Sequence, residues 1–524
     1  MSRSKQNNSS GPHKEYLPSQ IHSLEGTVGP IRGYLTLSPG IPKKMWYWLA
    51  GSIANGGLFN FLGMFLLYYY NQVLGLSAIL ASLAIAISIG LDAISDPLIG
   101  YLSDRFKHKL GRRIPFMIVG VVPTGLAILL LFTVKLGDTQ TLLFIQMLVL
   151  ISCLRVAHTL YNVPRLALGL ELYRGYQERN VLWSRNNNAD VVGIGIVLGP
   201  VLFFFLSDWN DIQGYTWSAV WLSVVFIGYA GHSTWRIRHI EIEYNLQEKQ
   251  TSHASIKNLM HELGSLIRNK SWLALFFSVL FFNITGGLFG GSYTYLNDYL
   301  WLWKPNELAS TGFFTQPASV AAAFYVMSIT KRFDDKKRLV ITTAWVALIT
   351  GPIFMGLRLC DIHFGTNYLP NAGEGIFSPL WWLFSLNGFV ETFLWTIFWI
   401  LVSSMFSDVL EEQESKTGSQ SEALVTSTNN FMHKLIAGIS VLGGGIMITW
   451  AGFDSNLTPI ESELAAFKLG LISVASKTCG VLLSILALYF YDIDKASHEK
   501  YVNDLGYSGS EGFSQDMSSS GDGH

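Results

Sequence analysis

Two aspartates one helical turn apart interrupt an apolar stretch of this chain. Asp92 and Asp96 lie inside residues 78–102, which are otherwise largely apolar. In a helix, residues i and i+4 share one face, so the two side chains would point the same way. An aspartate at the centre of a membrane-spanning helix costs about 2.5–3.5 kcal/mol on the insertion scale. We therefore expect the pair to face a polar cavity or a cation, and not lipid.

The pair supports two related kinds of chemistry. Two carboxylates one turn apart can chelate Na⁺ or share a proton. Ser95 can add a ligand oxygen, and Thr159, from another apolar stretch, can add one more. If Na⁺ is the coupling ion, Asp92 and Asp96 are its metal ligands; we expect no other cofactor. A structural ion pair with a second helix is the alternative interpretation.

Further polar residues lie in predicted spans and are candidates for substrate binding. Arg155, Thr159 and Asn162 follow one another at i, i+4 and i+7 and so form one stripe of a helix. Asn162 could bond sugar hydroxyls. Arg155 needs an anion, either a structural carboxylate such as Glu391 or the substrate itself. Lys434 could compete with a cation for the aspartates or pair with them, and snorkelling to the membrane interface is its alternative.

Other polar and aromatic residues favour structural roles. His158 is interpreted as a satisfied contact between helices. Tyr68, Tyr69 and Tyr70 end the first apolar stretch, where an interfacial aromatic belt is expected.

The composition points to a membrane protein. Half of the 524 residues are hydrophobic and 14% are charged, against about 25% charged in soluble proteins. A net charge of -1 gives no reason to expect a nucleic-acid partner. Three scattered cysteines exclude a disulfide framework. The chain has no P-loop, H-E-x-x-H or G-x-S-x-G motif, so we expect a transporter and not an ATP-driven pump or an enzyme.

The hydropathy pattern predicts about twelve transmembrane helices. The apolar stretches are 46–72, 78–102, 114–134, 141–168, 189–206, 216–236, 271–297, 311–330, 339–359, 377–405, 422–450 and 466–491. We expect an all-α protein of two pseudo-symmetric six-helix bundles. The predicted parts are a tail at 1–44, bundles at 45–236 and 271–491, a central loop at 237–270 and a second tail at 492–524. Two fewer spans with re-entrant segments are the alternative.

Basic residues predict the orientation. Lys and Arg concentrate in the loops after the second, fourth and eighth spans and in the central loop, which places both termini in the cytoplasm. Residues 103–109 and 330–336 are weakly similar basic segments at corresponding places of the two halves, and we call the second of them the second-half echo. Residues 255–267 carry apolar residues at helical spacing, which predicts an amphipathic helix on the cytoplasmic face.

The segment 91–105 resembles the glycoside–pentoside–hexuronide:cation symporters of the major facilitator superfamily, and the resemblance continues at 111–116. Weaker similarities occur at 68–77, 162–164, 178–179, 407–412 and 434. The resemblance implies the two-bundle fold, cation-coupled sugar symport and a bacterial inner membrane. It also implies that Asp92, Asp96 and Thr159 bind the cation, that Ser95 stands where a polar ligand is usual, and that Lys434 is functional.

The chain departs from this family where the sugar would bind. Gly56, beside Asn55, replaces the acid of the first span, and Asn162 replaces that of the fourth. With Arg155 in the same stripe, this suggests an anionic sugar such as a uronide or sulfosugar, gripped by the guanidinium. A lysolipid or another amphiphile is the alternative substrate.

Alternating access is the expected mechanism. We expect ion pairs to form a cytoplasmic gate. Its predicted members are Asp104, Arg112 and Arg113 with their second-half echo, and Glu178 with Arg179. The expected partners are a small-molecule substrate and membrane lipid, with no nucleic acid, and we expect a monomer. A channel or a receptor would be the rival class.

Overall fold

The computed structural model describes residues 43–172, 176–243, 268–329, 335–417, 422–454, 457–494, 497 and 500–501. The chain divides into two compact units, 1–46 and 47–524. In the first unit the described residues are 43–46, the first turn of a helix. The predicted amphipathic helix at 255–267 and most of both predicted tails lie outside the described residues.

The described residues fold into helices, and no β-strand occurs among them. The N-terminal half contains α1 (Lys43–Tyr68), α2 (Ala78–Arg105), α3 (Ile114–Thr133), α4 (Gln140–Leu172), α5 (Tyr176–Pro200), α6 (Ile212–Ile237) and the short α7 (Ile240–Glu243). The C-terminal half contains α8 (Lys270–Tyr295), α9 (Pro305–Thr315), α10 (Pro317–Ile329), α11 (Lys336–Phe364), α12 (Pro379–Thr417), α13 (Glu422–Ala451) and α14 (Pro459–Tyr489).

Nine helices of the described chain are long and apolar enough to cross a membrane. The remaining predicted spans correspond to α6, to α9 with α10, and to α13. The eighth span differs from its prediction, because it begins at Pro305 and divides before Pro317. A proline lacks the N–H that would continue the hydrogen-bond ladder of the preceding helix.

Each half is held together by close helix pairs. In the N-terminal half α3 packs against α4 and α6, and α2 against α4. A methyl group on Gly120 of α3 would stand 2.6 Å from the Tyr161 backbone N of α4, so glycine permits this approach. In the C-terminal half α8 packs against α13 and α14, and α11 against α12 and α14. Between the halves, α2 packs against α13.

A backbone repeat relates the two halves. Helices α1 and α8 each end in a single π-helical turn, residues Tyr69–Val73 and Leu296–Leu300. The hydrogen bonds that close the two turns match: Leu74 N to Tyr69 O and Trp301 N to Leu296 O are both 3.0 Å. Tyr68 and Tyr295, which precede the turns, therefore occupy equivalent positions. We call this end of the bundle, where α1 ends and α2 begins, the upper face, and the opposite end the lower face.

Leu302 is a strained residue at the upper face. Its φ is 56°, in the left-handed region, where its counterpart Gly75 has φ 82°. A bulky residue in this region costs on the order of 1–3 kcal/mol, more than the extra chain entropy that a glycine loses on folding. Leu302 is also exposed, so its side chain contributes little packing.

We therefore expect Leu302→Gly to stabilise the protein by about 1 kcal/mol. The midpoint of thermal unfolding in detergent measures the effect. The reciprocal change, Gly75→Leu, should lower the midpoint. Unchanged midpoints in both variants would contradict the assigned strain.

Candidate functional site

The four residues predicted to bind a cation lie together between α2 and α4. The hydroxyl Oγ1 of Thr159 lies 2.8 Å from Oδ1 of Asp92 and 3.0 Å from Oδ1 of Asp96. Ser95 Oγ lies 3.5 Å from the same hydroxyl. Because Thr159 has one hydroxyl proton, it donates to one carboxylate at a time. The carboxylates thus converge on one point, as a cation site requires.

Lys434 of α13 reaches these carboxylates from the opposite half. Its Nζ lies 2.8 Å from Asp92 Oδ2 and also donates to Asp96 Oδ2. The ammonium therefore pairs with the two aspartates and does not snorkel to the interface. On α4, Arg155 Nη1 lies 3.7 Å from Asp92 Oδ2, and its Nε donates to Ser88 Oγ at 2.8 Å. Two positive groups balance two carboxylates in this cluster.

The suggested pairing of Arg155 with Glu391 is wrong. Arg155 faces α2, whereas Glu391 of α12 pairs with Lys477 of α14, whose Nζ lies 2.8 Å from Oε2 and 2.9 Å from Oε1. Lys477 was not among the predicted site residues. The signal for it was present, because a lysine in the interior of the apolar stretch 466–491 needs an internal partner.

The two asparagines predicted to bind sugar are held by neighbouring side chains. Asn55 Oδ1 lies 2.6 Å from Nε2 of His158, which is the helix contact expected of this histidine. Asn162 Oδ1 accepts from Nη2 of Arg165 at 3.1 Å. Arg165 is 1% exposed and donates from Nη1 to Ser52 at 2.9 Å. Sequence reasoning missed this buried arginine, which directly follows Pro164 inside a span.

A cavity of about 1210 Å³ lies between the two halves. Helices α1 and α5 line one wall, and α8 to α12 with α14 line the other. Its described polar lining includes six hydroxyl groups, four side-chain amides and one ion pair. The amides and the ion pair are Asn60, Asn297, Gln316, Asn387, Glu391 and Lys477. Of the predicted substrate residues, Glu391 borders this cavity. Asn55, Arg155, Asn162 and Lys434 are not among its described lining residues.

A pair of reciprocal hydrogen bonds closes the halves at the upper face. Tyr68 Oη donates to Asp298 Oδ2 at 2.5 Å, and Tyr295 Oη donates to Asn71 Oδ1 at 2.8 Å. In the repeat, Tyr68 is equivalent to Tyr295 and Asn71 to Asp298, so each bond is the counterpart of the other. The tyrosine rings also touch, with centroids 5.0 Å apart. We call these four residues the upper clasp.

The first-span tyrosines are not an interfacial belt, which corrects the prediction. Tyr68, Tyr69 and Tyr70 are all buried. Tyr69 Oη donates to the backbone O of Phe132, and Tyr70 Oη to that of Leu131, each at 3.0 Å. Satisfied hydroxyls allow these rings to lie inside the bundle.

The basic residues of the lower face pair inside their own half. Arg113 Nη2 lies 2.8 Å from both Asp104 Oδ1 and Glu171 Oε1, and Arg112 also contacts Glu171. Glu241, fully buried, accepts from the Arg113 backbone N at 3.0 Å. Burial raises the pKa of the Glu241 carboxyl, and that hydrogen bond partly offsets the rise. These contacts tie the α2–α3 loop to α4 and α7.

The second half has a comparable pair, between Lys336 Nζ and Asp408 Oδ1 at 2.8 Å. Each of these described pairs lies within one half, so a gate between halves at this face stays a prediction. Residues 330–334 of the predicted echo lie outside the described residues. Glu178 and Arg179 belong to α5, and their side chains are outside the description.

Comparisons with known proteins agree with this architecture. A family model described as "MFS/sugar transport protein" matches residues 47–495. The putative glycoside/cation symporter YagG of Escherichia coli is 26% identical, with 76% of this chain and 81% of that protein covered. The isoprimeverose transporter of Lactiplantibacillus pentosus is 22% identical, with coverages of 83% and 86%.

Solved structures are similar in fold. Tetrameric PepTSo2 has a TM-score of 0.53 at 14% identity, with 86% of this chain and 98% of that chain covered. The nucleoside transporter NupG has a TM-score of 0.50 at 13% identity, with coverages of 84% and 99%. At such identities the likeness concerns the fold alone.

Proposed function

We propose, because the chain belongs to the MFS/sugar transport protein family, that it moves a sugar together with a coupling cation. Family membership confirms the resemblance to the glycoside–pentoside–hexuronide:cation symporters. The protein is thus a multi-pass membrane protein for secondary active sugar transport, and not an enzyme. Na⁺ or H⁺ as the coupling ion, the bacterial inner membrane, cytoplasmic termini and a monomeric state belong to the proposal.

The cluster of Asp92, Asp96, Thr159 and Lys434 carries the proposal of cation coupling. The ammonium of Lys434 contacts Oδ2 of both carboxylates, at 2.8 Å from Asp92, while their Oδ1 atoms converge on Thr159. A cation that binds both aspartates must displace the ammonium. Displacement removes the ion pairs that join α13 to α2 at this level and so favours separation of the halves. Cation binding and conformational change would therefore be linked.

The upper clasp supports alternating access. From the Lys/Arg distribution we assign the upper face to the outside, and on that assignment the clasp closes the carrier to the outside. Each positive charge that moves inward gains about 2.3 kcal/mol per 100 mV of membrane potential. That free energy supports accumulation of a neutral solute by roughly 50-fold.

A neutral glycoside is the favoured substrate, in place of the anionic sugar expected earlier. Arg155, the residue on which that expectation depended, contacts Asp92 and Ser88 and is not among the described lining residues of the cavity. The charged groups at the cavity wall, Glu391 and Lys477, neutralise each other. A lysolipid remains the competing substrate, to be separated by experiment.

Uptake into proteoliposomes tests the proposed function. With isoprimeverose, the sugar in the name of one relative, the wild type should accumulate sugar when a Na⁺ or H⁺ gradient is applied. Asp92→Asn and Asp96→Asn should each reduce accumulation to equilibration, a loss of roughly 50-fold.

Asp138→Asn is the matched control, because Asp138 is an exposed loop carboxylate that pairs with Lys135. It should accumulate sugar like the wild type. Concentrative uptake that survives in the Asp92/Asp96 double variant would refute cation coupling at this site. Transport of lysolipid without competition from any sugar would refute sugar symport, and conductance that survives the double change would indicate a channel.

A further inference from the structure

The ion pair between Glu391 and Lys477 lies where a substrate can reach it. The pair borders the central cavity, and it also borders a second cavity of about 300 Å³ inside the C-terminal half. The Glu391 side chain is 32% exposed and that of Lys477 is 23% exposed. Ionisable groups inside a membrane protein are costly and usually serve a ligand or a pathway.

The surroundings of the pair suit a sugar ring. Asn387 Nδ2 lies 3.4 Å from Glu391 Oε1, which leaves the carboxylate with further acceptor capacity for hydroxyl groups. Lys477 Nζ lies 5.2 Å from the centre of the Phe289 ring, which also lines both cavities. Acceptors, donors and an apolar ring are therefore next to one another. A sugar ring presents hydroxyl groups at its edge and C–H groups on its face, which matches this set.

Gly351 of α11 keeps space free beside the pair. A methyl group at this position would stand 2.8 Å from Lys477 Nζ and 3.0 Å from Glu391 Oε1. Gly351 also lines the central cavity. The glycine thus lets both charged ends stay at the cavity wall, and a single added methyl would displace them without changing any charge.

We propose that Glu391 and Lys477 form a saccharide subsite in the C-terminal half, which selects a neutral glycoside of at least two sugar units. The carboxylate accepts hydrogen bonds from neighbouring hydroxyls of one unit, and the ammonium donates to an oxygen of the same unit. This inference rests on the proposed function and names its substrate class.

The size and polarity of the cavity favour two units over one. Its volume of about 1210 Å³ exceeds the roughly 300–1,000 Å³ of pockets for drug-sized ligands. Asn60 of α1 lies on the other wall and donates to the Gly56 backbone O at 3.0 Å, which leaves its side-chain carbonyl for a second unit. Because the ion pair is neutral as a whole, it gives an anionic sugar no net attraction.

Binding to the purified protein tests the subsite. Calorimetry would measure the affinities for isoprimeverose as the disaccharide, for glucose and xylose as monosaccharides, and for the coupling cation. Glu391→Gln and Lys477→Met should each weaken disaccharide binding by at least about 10-fold, because hydrogen bonds to charged groups contribute on the order of 1.5–3 kcal/mol. Monosaccharide affinity should change by less than about 3-fold.

Gly351→Ala should weaken disaccharide binding in the same way, and it tests the site with both charges in place. Lys135→Met is the matched control, because it breaks the exposed loop pair Lys135–Asp138, whose residues are not among the described lining residues of the cavity. Cation affinity should stay at the wild-type value in all four variants, which shows that the fold and the Asp92/Asp96 site persist.

Two results would overturn the subsite. One is an unchanged disaccharide affinity in both Glu391→Gln and Lys477→Met. The other is an equal loss for disaccharide and monosaccharides, since this would place the residues outside a second-unit site. A wild-type protein that binds no sugar would instead refute the proposed function itself, so the two failures can be told apart.

Discussion

Replacing Lys434 with Met is expected to lower net sugar uptake by at least about 100-fold while exchange of internal for external sugar continues. In the structure, the Lys434 ammonium lies 2.8 Å from Asp92 and also contacts Asp96, and together with Arg155 it balances the two carboxylates. Without it, Arg155 at 3.7 Å offsets one carboxylate and the other is left unpaired. An unpaired aspartate inside the membrane costs about 2.5–3.5 kcal/mol, which corresponds to a factor on the order of 100 in rate.

The two transport modes differ in the step that requires Lys434. In the proposed mechanism the carrier returns without its cation during net uptake, and Lys434 then supplies the missing positive charge. During exchange, the cation and sugar stay bound, so the lysine is not required. Proteoliposomes loaded with labelled sugar and cation on both sides measure exchange, and an imposed gradient measures net uptake.

Lys135→Met, a change in an exposed loop lysine, is the control and should leave both modes unchanged. An equal loss of exchange and net uptake in Lys434→Met would show that the lysine is needed for binding itself. Wild-type net uptake in this variant would exclude Lys434 as the returning counter-ion.

Gly445→Trp is expected to hold the upper face open and to reduce net uptake by at least about 100-fold. Gly445 of α13 lies against α2, and a methyl group there would stand 2.0 Å from Ser82 Oγ and 2.8 Å from Ala78 O. Protein interiors are packed too closely to absorb a large side chain at such a contact. The halves would have to separate at this end, which breaks the upper clasp.

Accessibility and binding measure this effect together. A cysteine in place of Thr294, which is 1% exposed and contacts α1 from outside the upper clasp, should react with an external thiol reagent far faster in the Gly445→Trp background. Sugar applied from the upper side should still bind, within about 3-fold of the wild type. Gly290→Trp is the matched control, since nothing lies within 4 Å of an added methyl there. An unreactive cysteine at position 294 or normal uptake in Gly445→Trp would contradict the prediction.

The sequence predicts those features of the fold and site that depend on local pattern. Long apolar stretches predict the helices, and a charge within one stretch marks a functional residue because lipid cannot solvate it. Asp92 and Asp96 share a face by helical spacing alone, and the structure brings them to Thr159 and Lys434. The fold itself follows from two sets of such stretches.

The site features that were not predicted depend on which helices lie next to one another in the fold. Nothing in the sequence shows that Glu391 of α12 meets Lys477 of α14 while Arg155 meets Asp92. A tyrosine at the end of an apolar stretch usually marks the membrane interface. Tyr68 is instead buried, because Asp298 accepts a hydrogen bond from its hydroxyl group. That partner lies in the other half and far along the chain.

The symmetry of the upper clasp has a consequence for leakage across the membrane. A motion that separates the two halves symmetrically at this face lengthens both tyrosine hydrogen bonds by the same amount, so we expect the two to break together. Concerted breaking would leave no partly opened intermediate at the clasp through which a gradient could dissipate. One difference remains between the two bonds, because Asp298 accepts as a carboxylate and Asn71 as a neutral amide. The charge-assisted hydrogen bond from Tyr68 to Asp298 is the stronger of the two, so it determines the force needed to open the upper clasp.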